Sequence, residues 1–391
     1  MTDGVAPAVR RLLAALCAAC LLAACAGPQP ERSVQRLRLI GEQRIALKQA
    51  FEGTVVGGLS GIDYDRTAGN WVAVSDDRSD IGPARFYTLR LDYDLQSFRA
   101  AALSGVALLR QADGTTYPSK PQAARRGGEV PDFEAIRIDP LDGGAWYASE
   151  GDRALGTDPF VRHAARDGSY LAALPPAPMF KVSPVQEAGP RNNQSFEGIA
   201  FAPDGRSLWV GMEAPLYQDG PVASVAQGAF TRITRFDRGG AMLAQFAYAL
   251  DPIPMAPAAG KLADNGLAEI LLVDERRMLM LERSGSQSAD GVFHYYIRIY
   301  EADFGAASDI RSMPSLAGAA FTPARKRLVL DFAAAGLGHV DNLEGMAWGP
   351  RLANGHDSLV LVSDDNFDAT QVTQFLAFEV IPCKENKCDP H

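Results

Sequence analysis

The sequence predicts an all-β fold, a β-propeller of five four-stranded blades, and three observations predict it. Five segments repeat one pattern, in which an apolar residue and usually a Glu precede an apolar strand behind a small residue. Each segment is answered by a second strand that ends in acidic residues. Beyond the first 25 residues no helix-period stretch is long enough to compete with these short runs.

The chain opens on an export signal. Arg10 and Arg11 give a positive start, and Leu12 to Leu22 is apolar but too short to span a membrane. Leu22-Ala23-Ala24-Cys25 then has the lipobox form, in which small residues fit the peptidase and the Cys25 thiol accepts the lipid. Residues 1–24 read as a lipoprotein signal peptide and 25–34 as a lipidated, flexible tether, with an ordinary cleaved signal as the alternative. Residues 35–382 form the propeller domain. Residues 383–391 are a tail whose Cys383 and Cys388, close together and without another partner after export, predict a small disulfide loop.

Arg36 to Leu47 is strand-like and belongs to no repeat. Pairing with the last blade would close the ring and remove two exposed edges. The copies then follow in order. Leu59-Ser60-Gly61-Ile62-Asp63 is answered by Trp71 to Asp77, Phe133-Glu134-Ala135-Ile136-Arg137 by Trp146 to Glu150, and Phe196-Glu197-Gly198-Ile199-Ala200 by Leu208 to Glu213. Leu267-Ala268-Glu269-Ile270 is answered by Met278 to Glu282, and Leu343-Glu344-Gly345-Met346-Ala347 by Leu359 to Asp365. The step from Ser60 to Asp76, Glu134 to Glu150 and Glu197 to Glu213 is 16 residues, shortening to 13 in the fourth copy and lengthening to 20 in the fifth. Further alternating runs supply two more strands per unit, as in a propeller blade. A sixth blade is the alternative, hidden in one of the Pro/Gly-rich joints at 111–131, 175–190 or 251–265.

The net charge is −9, and loss of the signal takes it to −10. Such an acidic chain argues against nucleic acid and against electrostatic membrane binding, leaving the lipid as the only membrane contact. It is compatible with a cation.

Strand one of a blade is innermost and strand two returns beside it. The start of the first and the end of the second therefore share one face of the ring. Ser60, Glu134, Glu197, Glu269 and Glu344 are thus expected around the channel mouth, with Asp76, Glu150, Glu213, Glu282 and Asp364 a little farther out. Converging carboxylates repel one another and call for protons or a cation. A hard ion with oxygen ligands answers this, and Ca²⁺ tolerates irregular geometry. The alternative is purely structural, with the acids capping backbone or pairing with Arg137, Arg153 and Arg283.

Arginines beside a hard metal suit a small anionic ester or phosphoester. In that chemistry Arg78 or Arg153 holds the anion and Asp77 or Glu150 activates water. Ser60 and Ser195 lack a Gly-x-Ser-x-Gly frame, and none of the five His residues sits in a readable triad, which argues against serine-type hydrolysis. A non-catalytic propeller that binds a ligand or protein partner is the competing reading.

Gly58-Leu59-Ser60-Gly61-Ile62-Asp63, Ser75-Asp76-Asp77-Arg78 and Ala84-Arg85-Phe86-Tyr87 resemble the phytase-like, "esterase-like activity of phytase", family of exported bacterial proteins. So do Asn193-Gln194-Ser195-Phe196-Glu197-Gly198, Asn342-Leu343-Glu344-Gly345 and Ser363-Asp364-Asp365-Asn366, over about residues 57–378. The resemblance implies an esterase-like or phytase-like activity. More distantly, the Ser/Glu ring is similar to calcium-activated nucleotidases, five-bladed propellers with one axial Ca²⁺ held by one Ser or Glu per blade. That similarity implies Ser60, Glu134, Glu197, Glu269 and Glu344 as ligands. By resemblance to known lipoproteins, Ala26 after Cys25 implies the periplasmic face of the outer membrane.

Overall fold

Five sheets of four strands each, arranged as a five-bladed β-propeller, make up the structure, a computed structural model that describes residues 32–384 and 388. The signal, Cys25 and most of the tether lie outside the described residues. From Ser33 onward the chain forms one unit.

β1 (Arg36–Ile45) is followed by a two-stranded hairpin, β2 (Ala50–Phe51) and β3 (Thr54–Val55). The first blade is β4 (Leu59–Asp65), β5 (Asn70–Ser75), β6 (Arg85–Tyr93) and β7 (Phe98–Leu108). The joint before the second blade holds a short helix, α1 (Lys120–Arg126), instead of a degenerate blade. The second blade is β8 (Phe133–Ile138), β9 (Ala145–Ser149), β10 (Phe160–Ala164) and β11 (Tyr170–Ala173). The third is β12 (Phe196–Phe201), β13 (Ser207–Met212), β14 (Ala229–Asp237) and β15 (Met242–Leu250). The fourth is β16 (Ala263–Leu272), β17 (Arg277–Gln287), β18 (Phe293–Asp303) and β19 (Arg325–Asp331). The fifth has β20 (Leu343–Trp348), β21 (Ser358–Ser363) and β22 (Thr373–Ile381), and its fourth strand is β1, antiparallel to β22 from Arg36–Ile381 to Ile45–Thr373.

Five apolar clusters fill the gaps between successive blades, so each sheet is covered on both faces. Tyr147 and Phe133 pack the first blade against the second, and Trp209 and Met280 the third against the fourth. Leu279 and Met346 join the fourth to the fifth, and Val360 and Ile62 the fifth to the first. This explains why inner strands such as β20, Leu-Glu-Gly-Met-Ala-Trp, are buried along their whole length whereas the outermost β7 is mostly half-buried or exposed. Cys383 and Cys388 are joined by a disulfide with Cα atoms 4.8 Å apart, and Cys383 N–H donates to Ser33 Oγ at 3.1 Å.

One irregularity recurs in all five blades. The ladder between first and second strand slips by one residue near its start, between Leu59/Gly61, Phe133/Ala135, Phe196/Gly198, Leu267/Glu269 and Leu343/Gly345. Such a bulge leaves one residue outside the ladder and re-aims its side chain. The residues left out are Ser60, Glu134, Glu197, Ala268 and Glu344. In the fourth blade the structural counterpart of the Glu is therefore Ala268, and Glu269 falls one place later. Elsewhere that next place is Gly or Ala, because the neighbouring inner strand passes very close. A Cβ on Gly61 would sit 2.8 Å from Glu134 O, and one on Gly345 2.8 Å from Ser60 O.

Candidate functional site

The bulges open onto a cavity of about 760 Å³ at one end of the ring. Its wall has two tiers. The inner tier is the set of bulge residues, of which Glu134, Glu197 and Glu344 line the cavity. The outer tier is the residue that follows the last rung on strand two. In four blades this residue is Asp76, Glu150, Glu213 or Asp364, and its N–H donates to the carbonyl of Gly58, Asp132, Ser195 or Asn342, respectively, at 2.7–3.0 Å. In the fourth blade the corresponding residue is Arg283, which follows Glu282. The fourth blade thus breaks both tiers, with Ala268 for Glu and Arg283 for an acid.

Two of the sequence-predicted ligands behave differently from the rest. Glu269 does not reach the mouth. It forms an ion pair with Arg137 at 2.7 Å, and its Oε1 accepts from its neighbour Ile270 N–H at 2.9 Å. Arg137 also donates to the carbonyls of Ile62, Ile136, Ile270 and Met346 at 2.7–3.3 Å, which come from the inner strands of four different blades' contributions to the axis, β4, β8, β16 and β20. A guanidinium, not a cation site, holds the inner strands together there. Ser60 is buried beside Glu344, whose carboxyl it tempers, but its Oγ makes no well-formed hydrogen bond. Glu282, read as part of the outer set, points away and accepts from Tyr248, Lys326 and Asn265.

The proposed catalytic residues also divide. Arg78 lines the cavity, donating to Asp132 through Nε at 2.8 Å and also to Asn193. Glu150 sits among the carboxylates, with its Oε1 accepting from Ser195 N–H. Asp77 is structural. It pairs with the fully buried Arg85 at 2.8 Å and accepts from the N–H groups of Asp80, Ile81 and Gly82, so it ties down the loop behind the wall. Its neighbour Asp76 is the one that faces the cavity. Asp364 and Asp365 divide in the same way, Asp365 accepting from Gly58 N–H, Phe367 N–H and Thr373 Oγ1. Arg153 is spent on the carbonyls of Ala188 and Pro190, at 3.0 Å each, and lies over the Tyr217 ring. It is not among the cavity residues.

Asp132 is a site residue that sequence reasoning missed. It occupies the place held by Gly58, Ser195, Gly266 and Asn342 in the other blades, immediately before the apolar anchor, and only alignment on that anchor would have drawn attention to it. Beside Asp264, Asp290 and Asp368, which also line the cavity, its addition brings to eight the carboxylates of the two tiers and their flank, those of Asp76, Asp132, Glu134, Glu150, Glu197, Glu213, Glu344 and Asp364. All but Asp76 are buried. Two guanidiniums face them, Arg78 on Asp132, and Arg283 at 2.9 Å from Glu213 and 3.6 Å from Glu344. Burial first, then repulsion from one another, holds Asp76, Glu134, Glu150, Glu197 and Asp364 well above the ordinary carboxylate range. Burial pushes Glu213 to about 8 against the pull of Arg283, and Asp132 to about 6 against that of Arg78.

These donors fit a hard cation. Asp132, Glu134 and Glu150 each bring one carboxylate oxygen within 4.8 Å of the others, and Glu150, Glu197 and Glu213 do the same. Oxygens around one Ca²⁺, at about 2.4 Å from it, are at most about 4.8 Å apart. A third acidic group, Asp139, Asp142 and His163, lies elsewhere. Both Asp139 oxygens there are taken by Arg238, at 2.6 and 2.7 Å, and Trp146 Nε1 shares one of them, so that group is structural.

The model of the phytase-like family, described as "esterase-like activity of phytase", matches residues 54–367. No curated protein matches the chain. Among solved structures, an endo-arabinanase from Bacillus licheniformis is 10% identical with a TM-score of 0.40, covering 82% of this chain and 94% of its own. A periplasmic gluconolactonase from Pseudomonas aeruginosa is 15% identical with a TM-score of 0.30, covering 93% and 95%. These likenesses are too loose to carry an argument about activity.

Proposed function

Because the chain belongs to the phytase-like family, we propose that it is a cation-dependent hydrolase of a small anionic ester or phosphoester, with Ca²⁺ as the cation. The observation behind this reading is the charge in the cavity, eleven carboxylates against Arg78 and Arg283. Either triad, Asp132, Glu134 and Glu150 or Glu150, Glu197 and Glu213, would hold a cation, and the all-oxygen, irregular donor set is the reason for preferring Ca²⁺. When bound, such an ion supplies Lewis acidity toward an ester or phosphoryl oxygen. Arg78, about a third exposed, presents its free edge to the anionic group of the substrate. Asp76 takes the role expected of Asp77, as the cavity carboxylate that accepts a proton from water.

A second reading has its own support. Both cavity arginines are already tied to carboxylates, which suits a non-catalytic propeller with a structural ion and a ligand or protein partner. Turnover of 4-nitrophenyl phosphate, nucleotides, phytate and aryl esters, measured in CaCl₂ and in chelator, separates the two. Calcium-dependent turnover that Asp76→Asn abolishes supports the hydrolase. Turnover indifferent to chelator, or none with any substrate, removes it.

Two further proposals rest on the residues alone. The chain is exported and lipid-anchored through Cys25 at the periplasmic face of the outer membrane, and Cys25→Ser would release it from the membrane fraction. The β1–β22 pairing closes the ring.

A further inference from the structure

We infer that the cavity takes two divalent cations bridged by Glu150. This rests on the cation reading above and adds to it the number of ions and the residue they share. The two carboxylate triads have only Glu150 in common, and their five residues do not form a single group within 4.8 Å. One ion at the place of these oxygens therefore cannot touch all five residues.

Glu150 itself is the independent observation. It is 3% exposed, its Oε1 is committed to Ser195 N–H, and its Oε2 is buried without a hydrogen-bond partner. A buried carboxylate oxygen left bare is costly unless an ion or proton meets it. A carboxylate has about four lone-pair directions, enough to bind two ions from its two oxygens while keeping the Ser195 bond.

Charge points the same way. Eleven carboxylates and two guanidiniums leave nine negative charges when all are ionised. One divalent ion reduces these to seven and two ions to five. The two ions would also sit against different blades. Asp132, Glu134 and Glu150 come from the edges of β8 and β9, whereas Glu197 and Glu213 come from β12 and β13. Glu150 thus spans the seam between the second and third blades. The pair sits toward the second and third blades, where Glu213 is also held by Arg283 at 2.9 Å, and this differs from the single axial ion that the five-residue pattern suggests.

Calorimetric titration of the chelator-stripped full chain with CaCl₂ tests the inference, with circular dichroism to confirm that each variant folds. Two ions per chain are expected. Glu134→Gln should lose one and retain the other, Glu197→Gln should lose the second and retain the first, and Glu150→Gln should weaken both by about tenfold or more. One ion per chain, or Glu134→Gln and Glu197→Gln removing the same ion, overturns the bridge and leaves the single-cation reading standing. No bound ion overturns both.

Discussion

Arg137 and Glu269 meet at 2.7 Å inside the ring, one from the second blade and one from the fourth. Both are almost fully buried, and the arginine's two terminal nitrogens also donate to inner-strand carbonyls, so the pair is a structural tie across the channel, outside the cavity lining.

Arg137→Met should therefore unfold more easily. The change leaves Glu269 buried and unpaired, at a cost of about 3–5 kcal/mol. Denaturant titration should show this loss while calcium affinity stays as in the parent chain. Loss of calcium binding with native stability would contradict the placement of Arg137 away from the ions.

The Asp76-Asp77 doublet predicts opposite effects from neighbouring substitutions. Asp77→Asn strips the fully buried Arg85 of its carboxylate and should cost about 3 kcal/mol or more. Asp76→Asn removes one charge from a repelling set and should raise the melting temperature in chelator. Thermal melts of the two variants side by side decide the point, and destabilisation by both would refute the division of roles.

Arg283 supplies the positive charge between Glu213 and Glu344. Arg283→Gln should lower the melting temperature in chelator and widen the rise that calcium produces, because more uncompensated charge awaits the ion. An unchanged calcium-induced rise counts against this account.

Acidity should stabilise the cation-free chain. Asp132, Glu269 and Glu213, at about 6, 7 and 8, all lie above the ordinary carboxylate value of about 4. The folded state therefore binds more protons than the unfolded one. Stability from these groups is complete below pH about 4 and is lost as pH rises through about 6 to 8. Melts in chelator should fall from pH 5 to pH 8.5, and calcium should flatten most of the slope, leaving the share due to Glu269. A melting temperature that rises over this range would be the opposite sign.

Closure of the ring by β1 is checked by deleting residues 33–46. The deletion uncovers the β22 edge and removes Leu37, Ile40 and Ile45 from two inter-blade clusters, so cooperative unfolding should be lost. Moving the strand to a position after Ile381 should restore it. A truncated chain that melts like the parent would show that β1 is dispensable.

The repeat made the blades legible because each inner strand carries its apolar anchor, its bulge residue and its small residue in fixed order. The fourth blade was misread for a physical reason. Glu269 is the only carboxylate in its copy, but alignment on Leu267, which matches Leu59, Phe133, Phe196 and Leu343, makes Ala268 the bulge residue. The same shift hid Arg283 behind Glu282. The Asp76-Asp77 doublet does not reveal in sequence which member leaves the sheet toward the cavity. Arg153 looked like an anion holder from its place beside Glu150, yet its target carbonyls at 188 and 190 lie in a joint without periodicity. Asp132 carries no repeat signal of its own and emerges only from alignment on the apolar anchor Phe133.

The shared fifth blade also sets an order of events. Arg36 to Ile45 is among the first parts of the described chain to be made, and its partner, Thr373 to Ile381, is among the last. Everything between them must be synthesised before the ladder can form. Until then β1 carries a bare edge, open to pairing with another chain. The four blades wholly contained within residues 59–331 can assemble locally in the meantime. The β1–β22 ladder is thus among the last pairings that the order of synthesis allows.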